Sequence, residues 1–438
     1  MSPEYLGLVL LGTLLVAIFV GFPIAFTLII LAFIFGYLGF GAIVFDLMFF
    51  QTIGLMKEET LAAVPLFIFM GHVLEHAGLM ERLFKACQLI LARLPGSLYL
   101  GVLVTATIFA TATGIIGASV TVMGIMAAPL MMKSGYDPKL SAGVITAGGC
   151  LGILIPPSVM LIVMGPVLGV SVVELLAAAF VPGFILSALY VIYAMGRSFI
   201  NPSLGPPLPL EERATSYGQV FTELFHGVVP MAFIIFAALG SIIAGLATPT
   251  EAAAMGASGA LLLTILYRRL TLAVLRDAAH KTLQTSSLVL FLAVASNVYG
   301  SVFTRLGTGT MIANTMLAIP LPPLGLLALM LFVIFLLGWP LEWPAIILIF
   351  LPIFLPVVQA LKVNMIWFGI LVAVNLQTAF LSPPVAMAAY YLRAVAPQWE
   401  LRHIYRGMFD FMILQIIGLA IIFFFPELVL FVPNWLYR

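Results

Sequence analysis

Residues 149–158 read Gly149-Cys150-Leu151-Gly152-Ile153-Leu154-Ile155-Pro156-Pro157-Ser158, part of an apolar segment that two consecutive prolines interrupt. Neither proline has an amide proton to donate, and each ring clashes with the preceding turn of a helix. Carbonyls near Ile153 to Ile155 therefore lose their helical partners. In hydrocarbon an unanswered carbonyl is costly, so such a break persists only where something satisfies it. The same device recurs 227 residues later, where Asn375-Leu376-Gln377-Thr378-Ala379-Phe380-Leu381-Ser382-Pro383-Pro384 ends on a second proline pair.

Working outward, other features repeat in the same order at nearly the same spacing. Pro129 in MAAPLM matches Pro352 in IFLPIF at 223, Gly114 matches Gly338 at 224, and Pro23 in VGFPIAF matches Pro249 in LATPTEA at 226. Together with the proline pairs they define an internal repeat. The chain around them is suited to lipid. Of its 438 residues 63% are hydrophobic and 8% charged, whereas a soluble domain needs about 25% charged residues to face water. The balance of 18 Lys+Arg against 17 Asp+Glu gives no basic surface for nucleic acid. Cys87 and Cys150 stand singly in apolar surroundings, which makes neither a disulfide framework nor a thiolate metal site. The N-terminus is apolar from Tyr5, while the first basic residue is Lys57, so it reads as a retained span rather than a secretory signal.

Apolar segments fall at 5–20, 22–40, 61–80, 97–132, 140–170, 176–196, 226–246, 250–267, 286–304, 320–358, 365–392 and 408–432. One crossing takes about 20 residues. Segments 97–132 and 320–358 are too long for that and carry Gly or Pro in their middles, so they read as re-entrant hairpins. With the N-terminus outside and both hairpins returning to their own side, 14 of the 18 basic residues fall inside and four (Lys57, Arg305, Lys362, Arg438) outside. That is a strong positive-inside bias. The first half then makes an odd number of crossings and the second starts from the opposite side. The expected fold is an all-α integral membrane protein, an inverted-topology repeat with two re-entrant helical hairpins and two broken transmembrane helices. Such repeats place ion and substrate sites where broken helices meet.

In the first half the hairpin centre reads Ala112-Thr113-Gly114-Ile115-Ile116-Gly117-Ala118-Ser119-Val120-Thr121. Carbonyls freed by the proline break, with hydroxyls from Ser119, Thr121 and Ser158, suit a dehydrated Na⁺ better than Ca²⁺, which favours carboxylates. The second half offers the tip Gly338-Trp339-Pro340-Leu341-Glu342-Trp343 beside its own break. The plainer reading is that prolines and glycines only kink helices and let them pack. Two breaks, each preceded by a hairpin, favour the ion sites.

These residues also carry a family resemblance. VGFPIAF, PLFIFMGHVLEHAG, GASVT, GILIPPS, ATPTEAAA and SPPVA resemble the large (DctM-type) membrane subunit of tripartite ATP-independent periplasmic, or TRAP, transporters, over about residues 5–430. The resemblance implies a Na⁺-coupled secondary transporter of the bacterial or archaeal cytoplasmic membrane. It implies as partners a small four-helix membrane subunit and a periplasmic binding protein that delivers an organic acid. It further implies an elevator movement of residues 61–170 and 286–392 against a scaffold of 1–60, 171–285 and 393–438. Within that scaffold 197–220 is the inter-repeat linker, and 41–60 and 268–285 lie along the membrane surface as braces. The family's ion sites map onto Gly114, Gly117, Ser119, Thr121, Ile155, Pro156 and Ser158, and onto Gly338, Glu342, Thr378, Leu381, Ser382 and Pro383. The substrate surface between them falls to Ser119, Pro157, Ser158, Trp339, Trp343, Asn375 and Ser382. The family often has a compact Asp-bearing second tip. Here two tryptophans and Glu342 replace it, which points to a bulkier or less hydrophilic ligand.

Other polar residues admit two readings each. Glu251, just after Pro249, is either a helix cap or a transport residue. Arg393 is either a sidedness anchor or an attractor of anions. His72-Val73-Leu74-Glu75-His76 matches the inverted zinc-protease pattern but has no evident third ligand. No P-loop and no G-x-S-x-G elbow occurs. The leading alternative is a self-sufficient Na⁺/dicarboxylate symporter of similar architecture.

Overall fold

The computed structural model describes residues 2–113, 116–208, 217–383 and 386–437, and among these the chain is helical with no strand. Helix boundaries follow the local chemistry. Proline opens several helices at positions where its missing N–H costs nothing. Asp137, Ser158, Ser171, Thr248, Thr271 and Asn364 cap others through their side chains, and Gly21, Gly169 and Gly307 sit in left-handed turns between helices.

The first half runs α1 (Pro3–Val20), α2 (Ile24–Phe40), α3 (Ile43–Met56), α4 (Ala63–His76), α5 (Leu79–Leu91), the pair α6 (Ser97–Thr113) and α7 (Ile116–Lys133), the broken pair α8 (Pro138–Cys150) and α9 (Val159–Leu168), and α10 (Val172–Ile200). The second repeats that order: α11 (Tyr217–Ile243), α12 (Pro249–Leu266), α13 (Leu272–Arg305) and α14 (Thr308–Leu317). Then follow α15 (Pro323–Leu337) paired with α16 (Trp343–Ala345) and α17 (Leu351–Ala360), the broken pair α18 (Met365–Leu381) and α19 (Met387–Val395), and α20 (Leu401–Phe424). A π-helical turn, Ile346–Phe350, joins α16 to α17, and α21 (Pro426–Tyr437) lies beyond the repeat.

Contacts between the halves come in reciprocal pairs. Helix α2 packs on α13 and α12 on α4; α1 packs on α14 and α11 on α5. Likewise α8 packs on α20 and α18 on α10, while α7 meets α19 and α17 meets α9. A two-fold relation between the halves generates this pattern. Residues near its axis must touch their own counterparts, and Gln377 donates from Nε2 to the Cys150 carbonyl, 3.0 Å away and 227 residues distant in sequence.

Eight helices among the described residues are long and apolar enough to cross a membrane. Large side chains face outward along them: Phe19 is 74% exposed, Phe236 76% and Ile192 68%. A surface so apolar needs lipid or protein against it. The chain is a multi-pass membrane protein.

Three expected segments differ. The stretches 268–285 and 286–304 are not separate pieces: α13 runs unbroken for 34 residues, about 51 Å of helix against a hydrocarbon core of about 30 Å. The polar run Thr282 to Ser287 lowers hydropathy there without breaking the helix. The C-terminal segment is two helices, divided at Phe425 and Pro426. The linker 197–220 begins inside α10, which continues to Ile200, and residues 209–216 lie outside the described residues.

Candidate functional site

In the first half, the helix of α8 tightens into a 3-10 turn at Leu151–Ile153 and stops at the prolines. Leu154 N and Ile155 N both return to the Leu151 carbonyl, so the Cys150 carbonyl loses the Leu154 donor that an α-helix would give it and keeps only the bond of the 3-10 turn. Gln377 answers it. Ser158 donates its hydroxyl to the Ile153 carbonyl and, at the start of α9, accepts from Leu161 N at 3.4 Å. Protein groups thus satisfy two of the carbonyls that the break releases. Residues 151–164 are all buried, Ile155, Pro156, Pro157 and Ser158 among them.

The first hairpin is pressed against this break. Helix α7 packs on α8 and on the 3-10 turn. Gly149 permits the contact: a Cβ there would collide with the Val120 side chain and lie 3.0 Å from its backbone nitrogen. Ser119, one residue before Val120, is fully buried, and its hydroxyl has no hydrogen-bond partner among the described residues. Thr121 is half-buried on the same helix, and Gly117 faces the ring of Tyr391 from α19. Gly114 lies outside the described residues.

The second half closes differently. Gly338 approaches α18 so closely that a Cβ would stand 2.7 Å from that of Ala379. Trp339 Nε1 donates to Ser382 Oγ at 3.2 Å, and Ser382 in turn faces the Ala379 carbonyl at 3.4 Å. Thr378 donates to the Asn375 carbonyl at 2.5 Å. Ser382 and Thr378 are buried, Leu381 fully so. Pro383 follows at the end of the described stretch, and Pro384 lies outside it.

The two tips and the two broken helices meet at one cavity of about 140 Å³. Ile116 and Gly117 come from the first hairpin, Ile153 and Val159 from the first break, Glu342 to Pro344 from the second tip, and Phe380, Met387 and Tyr391 from the second broken helix. Ile68 of α4 and Thr285, Leu288 and Val289 of α13 complete the wall, so six stretches of sequence are brought together. Of the residues expected to hold substrate only Trp343 lines this cavity: Trp339 lines a neighbouring one, Ser119, Pro157, Ser158 and Ser382 are buried in the junctions behind it, and Asn375 donates to the Leu331 carbonyl at 2.7 Å and lines an apolar groove between α15, α18 and α20. Sequence reading also passed over Gln377. Its signal was the 227-residue spacing from Cys150, which marks two positions able to meet on a two-fold axis.

The doubtful polar residues resolve locally. Glu251 and Thr248 form a reciprocal capping box, with Glu251 Oε2 accepting from Thr248 N at 2.8 Å. Arg393 donates to the carbonyls of Pro397 and Trp399 and so ties down the end of α19. His72 and His76 turn to different carboxylates, His72 to Glu75 at 3.4 Å and His76 to Asp277 at 2.9 Å.

Comparison with known proteins agrees with this architecture. The YdaH transporter of Alcanivorax borkumensis superposes with a TM-score of 0.66 at 15% identity, covering 100% of this chain and 99% of that one, which establishes a shared fold. The sialic acid TRAP transporter large permease SiaM of Vibrio cholerae is 28% identical, over 95% of this chain and 96% of its own length. The C4-dicarboxylate TRAP transporter large permease DctM of Pseudomonas aeruginosa is 29% identical, over 87% of each chain. These relatives are transporter permeases, not enzymes. The model of the tripartite ATP-independent periplasmic transporter DctM component matches residues 11–428, and the chain belongs to that family.

Proposed function

We propose that this chain is the large permease of a Na⁺-coupled tripartite importer, and that it carries an organic acid through the cavity where the two tips and two breaks converge. The convergence itself is the observation that carries the reading. Nothing in a packing role requires four interrupted helical stretches to meet, whereas an occluded transport site does. Ion sites lie at the two junctions: Gly117, Ser119, Thr121, Ile155, Pro156 and Ser158 in the first, Gly338, Thr378, Leu381, Ser382 and Pro383 in the second. The orphan hydroxyl of Ser119 supports the first. Ion binding draws each tip onto its break and completes the surface that holds the substrate. The reciprocal packing of the halves supports an inverted repeat with re-entrant hairpins, in which an elevator movement of 61–170 and 286–392 exposes the cavity to each side in turn. By family, a small membrane subunit covers part of the outward apolar surface and a periplasmic binding protein delivers the acid.

Uptake into proteoliposomes that contain this chain and its small-subunit partner tests the reading. A labelled panel of organic acids is offered with and without a Na⁺ gradient and with and without the binding protein. Uptake that requires both is expected. Gradient-driven uptake without the binding protein would move the chain to the self-sufficient symporters, and uptake indifferent to Na⁺ would remove the ion sites.

A further inference from the structure

A second cavity, of about 210 Å³, adjoins the first. It is enclosed by the tip from Gly338 to Trp343 and by Leu376, Ala379, Phe380 and Met387. Glu342 and Trp343 line both cavities. Glu342 is the one charged residue in either lining, it is exposed to the space, and among the described residues it has no hydrogen bond or ion pair. No Lys, Arg or His reaches either cavity. Arg393, two residues beyond Tyr391, is committed to its own loop carbonyls. The rest of the lining is almost wholly apolar and includes aromatic rings: Trp343 and Phe380 in both cavities, Tyr391 in the first and Trp339 in the second.

This chemistry is wrong for a dicarboxylate. Like charges repel, and more strongly where low-dielectric walls replace water. It is right for a cationic nitrogen, which pairs with a carboxylate and sits favourably against aromatic faces. The opposite wall of the first cavity is apolar, made by Ile116, Ile153 and Val159, with the Tyr391 ring covering Gly117. We propose that the site takes a zwitterion, an organic acid that also bears an amine or quaternary ammonium group. Its nitrogen is held by Glu342 among Trp343, Phe380 and Tyr391. This assignment rests on the transport site proposed above and takes Glu342 from the second ion site to the substrate.

Tryptophans at the tip make the test direct. The purified membrane complex is titrated in Na⁺ with glycine betaine and γ-aminobutyrate as zwitterion probes, with succinate as the dianion, and with Na⁺ alone, and tryptophan fluorescence is followed. At least one zwitterion is expected to give a saturable change at a tenfold or more lower concentration than succinate. Glu342→Gln weakens that response at least tenfold and Glu342→Asp by less, while the response to Na⁺ persists, which also shows that both variants are folded. Equal or tighter binding of succinate overturns the proposal, as does the absence of a response to either zwitterion. Loss of the Na⁺ response in Glu342→Gln overturns it too, by making the carboxylate an ion ligand. Na⁺-driven, binding-protein-dependent uptake of a dicarboxylate would leave the transport reading intact and remove this one alone.

Discussion

The two junctions arise from the same sequence device and end in different states. At the first, Ser158 and Gln377 donate to carbonyls at the break, and Ser119 is buried with no hydrogen-bond partner among the described residues. At the second, Ser382 accepts from an indole of the tip and donates to the Ala379 carbonyl. The glycine that lets tip and helix approach also changes sides: Gly149 belongs to the broken helix, Gly338 to the hairpin. A repeat conserves a path for the backbone, and the side chains then specialise each copy. At the first the unpartnered hydroxyl belongs to the hairpin, whereas at the second the indole of Trp339 holds the serine of the break.

The strongest way to break this contrast is Ser119→Leu. Filling the orphan position with an apolar side chain removes the ligand and overpacks the junction. Na⁺-driven uptake should fall at least about tenfold, the change that about 1.4 kcal/mol makes in an affinity, with normal amounts of protein in the membrane. Unchanged uptake would leave the two junctions functionally alike. Gly149→Ala comes next. Its methyl group strikes Val120, including the backbone nitrogen, so it should destabilise by about 1–3 kcal/mol as overpacked cores do, read as a lower midpoint of thermal unfolding in detergent. Gly338→Ala meets only the Ala379 methyl and the Phe335 carbonyl edge, and a smaller loss is expected.

Gln377→Leu sharpens the comparison from the axis. It deletes one of the two donors to the Cys150 carbonyl, a loss of about 1 kcal/mol for a hydrogen bond, again measured as thermal stability. A stable variant would mean that water or an ion replaces the amide. The smallest effect belongs to Trp339→Phe. It keeps the ring and deletes the indole N–H, a bond contributing about 0.5–1.5 kcal/mol. Because Ser382 is then free, half-maximal uptake should require about two- to tenfold less Na⁺. A higher requirement would show that the indole holds the ion site together rather than blocking it.

Much of the fold was legible. The proline pairs marked both breaks, and the overlong apolar segments 97–132 and 320–358 became the helix pair α6 and α7 and the set α15 to α17. Asp137 and Asn364, also 227 residues apart, cap the two broken helices in turn, Asn364 accepting from Ile366 N and Trp367 N at 2.9 and 3.1 Å. These features are local: proline lacks a proton, a cap answers amides two or three residues away, and a lipid-facing stretch must be apolar along its length. The boundary inside α13 was misread for a related reason, since hydropathy registers Thr282, Gln284, Thr285, Ser286 and Ser287 as a surface while helix propensity tolerates them.

The composition and the repeat by themselves determined a helical membrane protein in two halves with paired interruptions, because backbone satisfaction in lipid leaves few other solutions. Only the tertiary structure decided which released carbonyl Gln377 would answer, that Trp339 would occupy Ser382, that Asn375 would face a groove instead of the cavity, and that Glu342 would stand alone among aromatic rings. Those pairings join residues tens to hundreds of positions apart, and their partners are set by how the two halves pack across their common axis rather than by anything within reach along the chain.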